Sequence, residues 1–245
     1  MKYYIIAIIF GFLFLACRSD PSINQEDSKY PSNKLGVEQD LNIKTKNLLL
    51  NDLRDSIETT YTYKEKYIKE MEKEPSDQYG VAAFKRMDWG EGTEDISDNT
   101  ERSIKFRRHA YIILSALDID ELKEFSDIVT NKSVPVGDIF SSFGVLGDII
   151  DTVSDHLHSK KDKLNKLDIS DLKTLKNSFD KILSTVESVS VMSKQLVLDY
   201  ENNKNFIKTN TNELESYLMK LNNQFKEKAD EAEKLQKFIM SIYSP

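Results

Sequence analysis

Few side chains in this sequence can do chemistry beyond forming salt bridges: one cysteine, Cys17, and three histidines, His109, His156 and His158. The stretch DHLHSKKD, with Asp151, Asp155 and Asp162 around His156 and His158, invites a metal reading. Ligands on one helix must be three or four residues apart to share a face, and the two histidines are two apart. Asp155 with His158 has the spacing but supplies only a pair, so the segment reads as a solvated helix face. No metal or other cofactor is expected. His109, among Arg107, Arg108 and Tyr111, reads as exposed or partly buried structure. There is no G-x-S-x-G elbow and no glycine-rich phosphate loop behind a strand. The acids are scattered at helical distances from lysines, as on solvated faces, and the chain reads as a protein that is not an enzyme.

Cys17 is different in kind, because it sits where the apolar MKYYIIAIIFGFLFLAC gives way to RSDPSINQED. Lys2, the 11-residue apolar run of residues 5–15 and the small Ala16 have the layout of an export signal. The run falls short of the roughly 20 residues of a membrane-spanning helix. A solitary cysteine in an exported chain has no internal disulfide partner. The segment Leu13-Phe14-Leu15-Ala16-Cys17 resembles a bacterial lipobox, with Phe14 where leucine is usual. That resemblance implies cleavage before Cys17 and acylation of the new N-terminus, so that residues 1–16 are a lipoprotein signal peptide. The protein is then tied to the membrane by lipid, and stable attachment takes two or more acyl chains.

Removing residues 1–16 takes away one lysine and no acid, leaving a formal charge of −8. That balance excludes nucleic acid, and an anionic membrane face recognised by charge, since both need a basic footprint. Residues 17–45 hold two prolines, a glycine and many Ser, Asn, Asp and Gln; such a stretch cannot bury enough apolar surface to offset ordering. It is expected to be a flexible tether. Residues 46–245 are expected to form a single all-helical domain, a compact bundle of about six to seven helices.

The helices follow from apolar residues recurring every three or four positions. Leu50, Leu53, Ile57, Tyr67 and Met71 mark the first, stopped by Pro75. A short segment over 78–87 and the loop DWGEGTEDISDN follow, with Trp89 expected to plug the core. A second helix starts at Ser97 or Asp98 and has an apolar side of Ile104, Ala110, Tyr111, Leu114 and Leu117. Its other side carries Lys105, Arg107 and Arg108, a basic strip that could face a partner. Asp118 and Glu121 open a third helix as a capping box. A wide apolar band from Ile139 to Leu157 predicts a central buried helix over 136–164. Two long helices complete the chain, starting near Ser170 and near Thr209 or Thr211, the last roughly 50 Å long at about 1.5 Å per residue.

Taken together, the lipobox, the tether and FKRMDWGEGTEDISDNTERSIKFRRHAYIILSALDIDELKEFSDIV over 84–129 resemble a known family. It is the virulence-associated outer surface lipoproteins of Lyme-disease spirochaetes, relatives of the complement regulator-acquiring surface protein CspA. The resemblance implies a bundle of about seven helices at the bacterial outer surface, in some members dimeric through the C-terminal helix. It also implies a host protein as partner: a complement regulator, terminal complement components, plasminogen or an adhesion ligand. The ending FIMSIYSP departs from the tail of the factor H binder, so no ligand-contact residues carry over. The alternative is a structural or vector-phase coat protein with no high-affinity soluble ligand.

Overall fold

Six α-helices joined by 3-10 turns build the described residues of the computed structural model, 34–90, 94–130 and 136–242. They are α1 (Lys34–Met71), α2 (Glu101–Ile113), α3 (Ile119–Thr130), α4 (Val136–Lys160), α5 (Ile169–Glu201) and α6 (Thr211–Ser241). Among the described residues β structure is limited to one bridge, between Asp88 and Asp95. The all-α bundle with a long C-terminal helix is therefore what the chain forms. Cys17, most of the tether and residues 131–135 lie outside the described residues.

Side-chain caps fix the helix starts, because the first four backbone N–H groups of a helix have no partner within it. The Asp118 carboxylate accepts from Glu121 N at 2.9 Å, while the Glu121 carboxylate accepts from Asp118 N at 2.9 Å, the reciprocal box the sequence announces. Asp168 accepts from Asp171 N at 2.8 Å at the head of α5, and Asn210 accepts from Asn212 N at 3.0 Å at the head of α6. Two boundaries need correction. Helix α2 opens at Glu101 behind Thr100, whose hydroxyl accepts from Ser103 N at 3.4 Å, and not at Ser97 or Asp98. Helix α1 begins at Lys34, inside the stretch read as tether. Its residues 40–44 are all exposed and Leu50 is its first core residue, so these early turns carry no buried stripe for periodicity to detect.

The core is aromatic at its centre. Phe84, Phe125, Phe140, Phe143 and Phe225 are fully buried and touch in series, with ring centroids 5.2 Å apart for Phe140–Phe143 and 5.4 Å for Phe143–Phe225. That chain ties the 3-10 turn Ala82–Arg86 and α3 through α4 to α6. Helix α4 is the central helix the apolar band predicts, packed on α1, α2 and α6. It meets α2 through two glycines. A Cβ on Gly147 would stand 2.3 Å from His109 Cβ, and one on Gly144 would stand 2.6 Å from Phe106 Cε2. No other residue allows the two helices to approach so closely.

Candidate interaction surface

Local spacing puts Lys105, Arg107 and Arg108 on one short stretch of α2, but the bundle separates them. Arg107 is fully buried and all but saturated with acceptors. Its Nε donates to both Glu74 carboxylate oxygens at 3.0 Å, Nη2 donates to Glu74 Oε2 at 2.7 Å, and Nη1 donates to the carbonyls of Ile96 and Asp98 at 2.7 and 2.8 Å. Tyr111 adds its hydroxyl to Glu74 at 2.6 Å; burial, and then the Glu74 charge, push the phenol far above its usual range. Arg108 is also buried and grips Asp151 of α4 with Nη1 at 3.2 Å and Nη2 at 2.5 Å. His109 Nε2 lies 2.9 Å from the same carboxylate. Burial alone would raise the Asp151 carboxyl, but the hydrogen bonds from His109 and Arg108 outweigh it and hold it below its usual range. The strip is thus corrected: Arg107 and Arg108 pin α2 to the segment that follows α1 and to α4. Only Lys105 is at the surface, paired with Asp148 at 2.8 Å.

Within DHLHSKKD, His158 has defined partners. His158 stacks flat on Tyr61 with centroids 3.8 Å apart and lies 3.5 Å from Glu58, which Lys161 also engages. No group of three or more His, Cys, Asp or Glu among the described residues is placed to hold a metal ion. Trp89 is half-buried against Phe106, its indole N–H donating to Ser103 Oγ at 2.9 Å and Arg102 lying over its outer face.

What the bundle does present outward is a shallow cleft of about 330 Å³ between α3 and the end of α5, lined by Asp120, Lys123, Glu124, Asp127, Ile128 and Tyr200. Desolvation first, then a hydrogen bond and like charge from Glu201, with Asp127 behind it, raise the Glu124 carboxyl; Lys208, which lies 5.6 Å from the Tyr200 ring centroid, opposes them. Between Tyr200 and Lys208 the chain makes a turn in which Asn203, Asn205 and Phe206 all have positive φ. Asn203 Oδ1 holds it by accepting from Lys208 N at 3.0 Å and Thr209 N at 3.2 Å. At its tip Phe206 has φ 62° and is 68% exposed. An aromatic side chain that pays for a left-handed backbone without gaining burial is unusual.

Residues 69–244 match the family described as Borrelia Bbcrasp-1 domain containing protein. The chain belongs to this family. BSE31 of Borrelia (Borreliella) spielmanii is 48% identical, with a TM-score of 0.76 over 80% of this chain and 99% of its own. The outer surface lipoprotein BBA64 of Borrelia burgdorferi is 21% identical, with a TM-score of 0.64 over 82% of this chain and 96% of its own. The Lyme disease associated outer surface protein BBA65 of the same species is 16% identical, with a TM-score of 0.64 over 78% of this chain and 100% of its own. At those lower identities the likeness is one of fold. No curated protein matches the chain.

The burial of Arg107 in this Bbcrasp-1 family member had a signal in the sequence. Ile104, Arg107, Tyr111 and Leu114 are spaced three, four and three apart, so the arginine falls on the apolar stripe itself. The cleft had none, because α3 and the end of α5 are brought together only by the bundle.

Proposed function

We propose that the protein is a lipid-anchored outer-surface protein whose helical body binds a host protein, in immune evasion or adhesion. Membership of the Bbcrasp-1 family carries this reading. It is supported by the lipobox-like segment ending at Cys17 and by relatives such as BBA64, an outer surface lipoprotein. The basic strip no longer serves as the contact, since its arginines are internal. The surface features that support binding best are the acidic cleft and the exposed aromatic Phe206 on the turn that follows α5. Aromatic anchors ringed by polar groups are the usual centres of binding energy in protein interfaces.

The test is capture from serum by the lipid-free body, with bound proteins identified by mass spectrometry and titrated. A saturable complement component or plasminogen is the expected result. Sera from several hosts yielding no saturable ligand would overturn the reading in favour of a coat protein. Phe206→Gly locates the contact: it should weaken capture while leaving the fold intact, because glycine accepts positive φ more readily than phenylalanine.

A further inference from the structure

Large apolar side chains at the surface are concentrated at the tether end of α1. Leu41, Ile43 and Leu48 are 59%, 59% and 56% exposed, a denser run than anywhere else among the described residues. They precede Leu50, where the core begins. At about 100° per residue Leu41 and Leu48 lie on one side of the helix and Ile43 on the opposite side, on the line of Leu50 and Ile57. This part of α1 therefore carries exposed apolar groups on two sides.

We propose that these first turns of α1 rest in the headgroup layer of the membrane that holds the protein, with Leu41, Ile43 and Leu48 reaching the acyl boundary. The inference rests on the lipid-anchor reading, and the length of chain upstream argues for it. Sixteen residues separate Cys17 from Lys34, and a chain of that length reaches no more than about 53–58 Å. The start of α1 is thus held within reach of the bilayer at high effective concentration, where a contact too weak to act alone is made as an intramolecular event. The seven-residue step from Leu41 to Leu48 covers about 10 Å, comparable to the depth of the headgroup and acyl boundary. A flat partner such as a second helix would cover one side only, whereas lipid can meet exposed groups on both sides of a helix that enters it. No helix of the described residues is long and apolar enough to cross a membrane, so the segment enters the interface without spanning the bilayer. The contact is apolar and needs no basic footprint, which agrees with the acidic charge of the whole.

Cys17 is the sole thiol, so the chain from Cys17 onward can be coupled chemically to a maleimide lipid in phosphatidylcholine vesicles. This bypasses biological acylation, so a failure here is separable from failure of the anchor reading, which cell fractionation of Cys17→Ala tests. Amide exchange over residues 40–49 should slow several-fold on the vesicle relative to thiol-capped protein in solution. The protection should disappear in the variant carrying Leu41→Ser, Ile43→Ser and Leu48→Ser, whose exposed positions leave the core unchanged. No protection on the vesicle, or protection that persists in the triple variant, overturns the proposal. So does equal protection in solution accompanied by a dimer mass, which would make a second copy the occupant.

Discussion

The buried charges of α2 set the behaviour of single residues. Arg107 and Glu74 are both out of water, 0% and 7% exposed at their side chains, and each satisfies the other. Arg107→Met leaves the Glu74 carboxylate buried beside Tyr111 without its cation, and loss of one partner of such a pair costs about 3–5 kcal/mol. Denaturant unfolding should show that loss, and Arg107→Met combined with Glu74→Met should recover much of it, because an apolar pair strands no charge. Protonation tests the carboxyls in both directions. Asp151 and Asp199 are held below their usual range, with hydrogen bonds outweighing burial, and Glu94 is pulled down to about 2, chiefly by its hydrogen bond from Arg102. Such groups bind fewer protons folded than unfolded, so their stabilisation is complete above the unfolded value near 4 and is lost as pH falls through the folded one. Glu124 has the opposite sign. Its raised pKa favours the fold at low pH, fully so below the unfolded value of about 4.5, and that contribution is lost as pH rises through the folded value. Glu124→Gln should therefore stabilise the protein at pH 7 and not at pH 4, by less than about 1 kcal/mol for so exposed a pair. Equal effects at the two pH values would contradict the account of Glu201 as its neighbour.

At the scale of elements, the α2–α4 crossing depends on the absence of two side chains. Gly147→Ala puts a methyl into His109 Cβ and its backbone, and the helix cannot give way without disturbing the Asp151 grip one turn on. Overpacking of this kind costs about 1–3 kcal/mol, which in a chain of this size lowers Tm by about 2–4 °C per kcal/mol. Gly137→Ala in the same helix meets nothing within 4 Å and should be neutral or slightly stabilising. If both substitutions lower Tm alike, the close approach is not what Gly147 supplies. The same elements show what the sequence could and could not express. Periodic leucines and local caps, such as Asp118 with Glu121, announce themselves within a few residues. Arg107 and Arg108 pair with acids 33 and 43 positions away, so nothing nearby distinguished them from a solvated strip except the register of Arg107 with Ile104 and Leu114. The early turns of α1 escaped for the converse reason: residues 40–44 are helical but exposed, and burial is what gives a pattern its period. The cleft belongs to contacts between elements, which no local pattern encodes.

For the whole molecule, the proposed lipid anchor raises the question of what would keep it at a membrane. A net acidic body has no electrostatic reason to stay there, and three partly buried aliphatic side chains supply at most about 1.5–3 kcal/mol each. Together that is about 4.5–9 kcal/mol, and set against the roughly 4–15 kcal/mol that association takes from free motion it leaves little surplus, so the start of α1 alone holds the protein weakly where it touches lipid. Acyl chains hold it stably, at about 0.8 kcal/mol per buried methylene, once more than one is present. Cys17→Ala should thus move the protein from the membrane fraction to the soluble one. The helical circular dichroism and Tm of the body should be unchanged, since the core starts at Leu50 and ends in α6. The triple serine variant with Cys17 intact should stay in the membrane fraction, because it loses only the secondary contact. Should Cys17→Ala remain with membranes, the acyl anchor is not what holds the protein; should the serine variant leave them, the apolar start of α1 contributes far more than three leucine-sized side chains can.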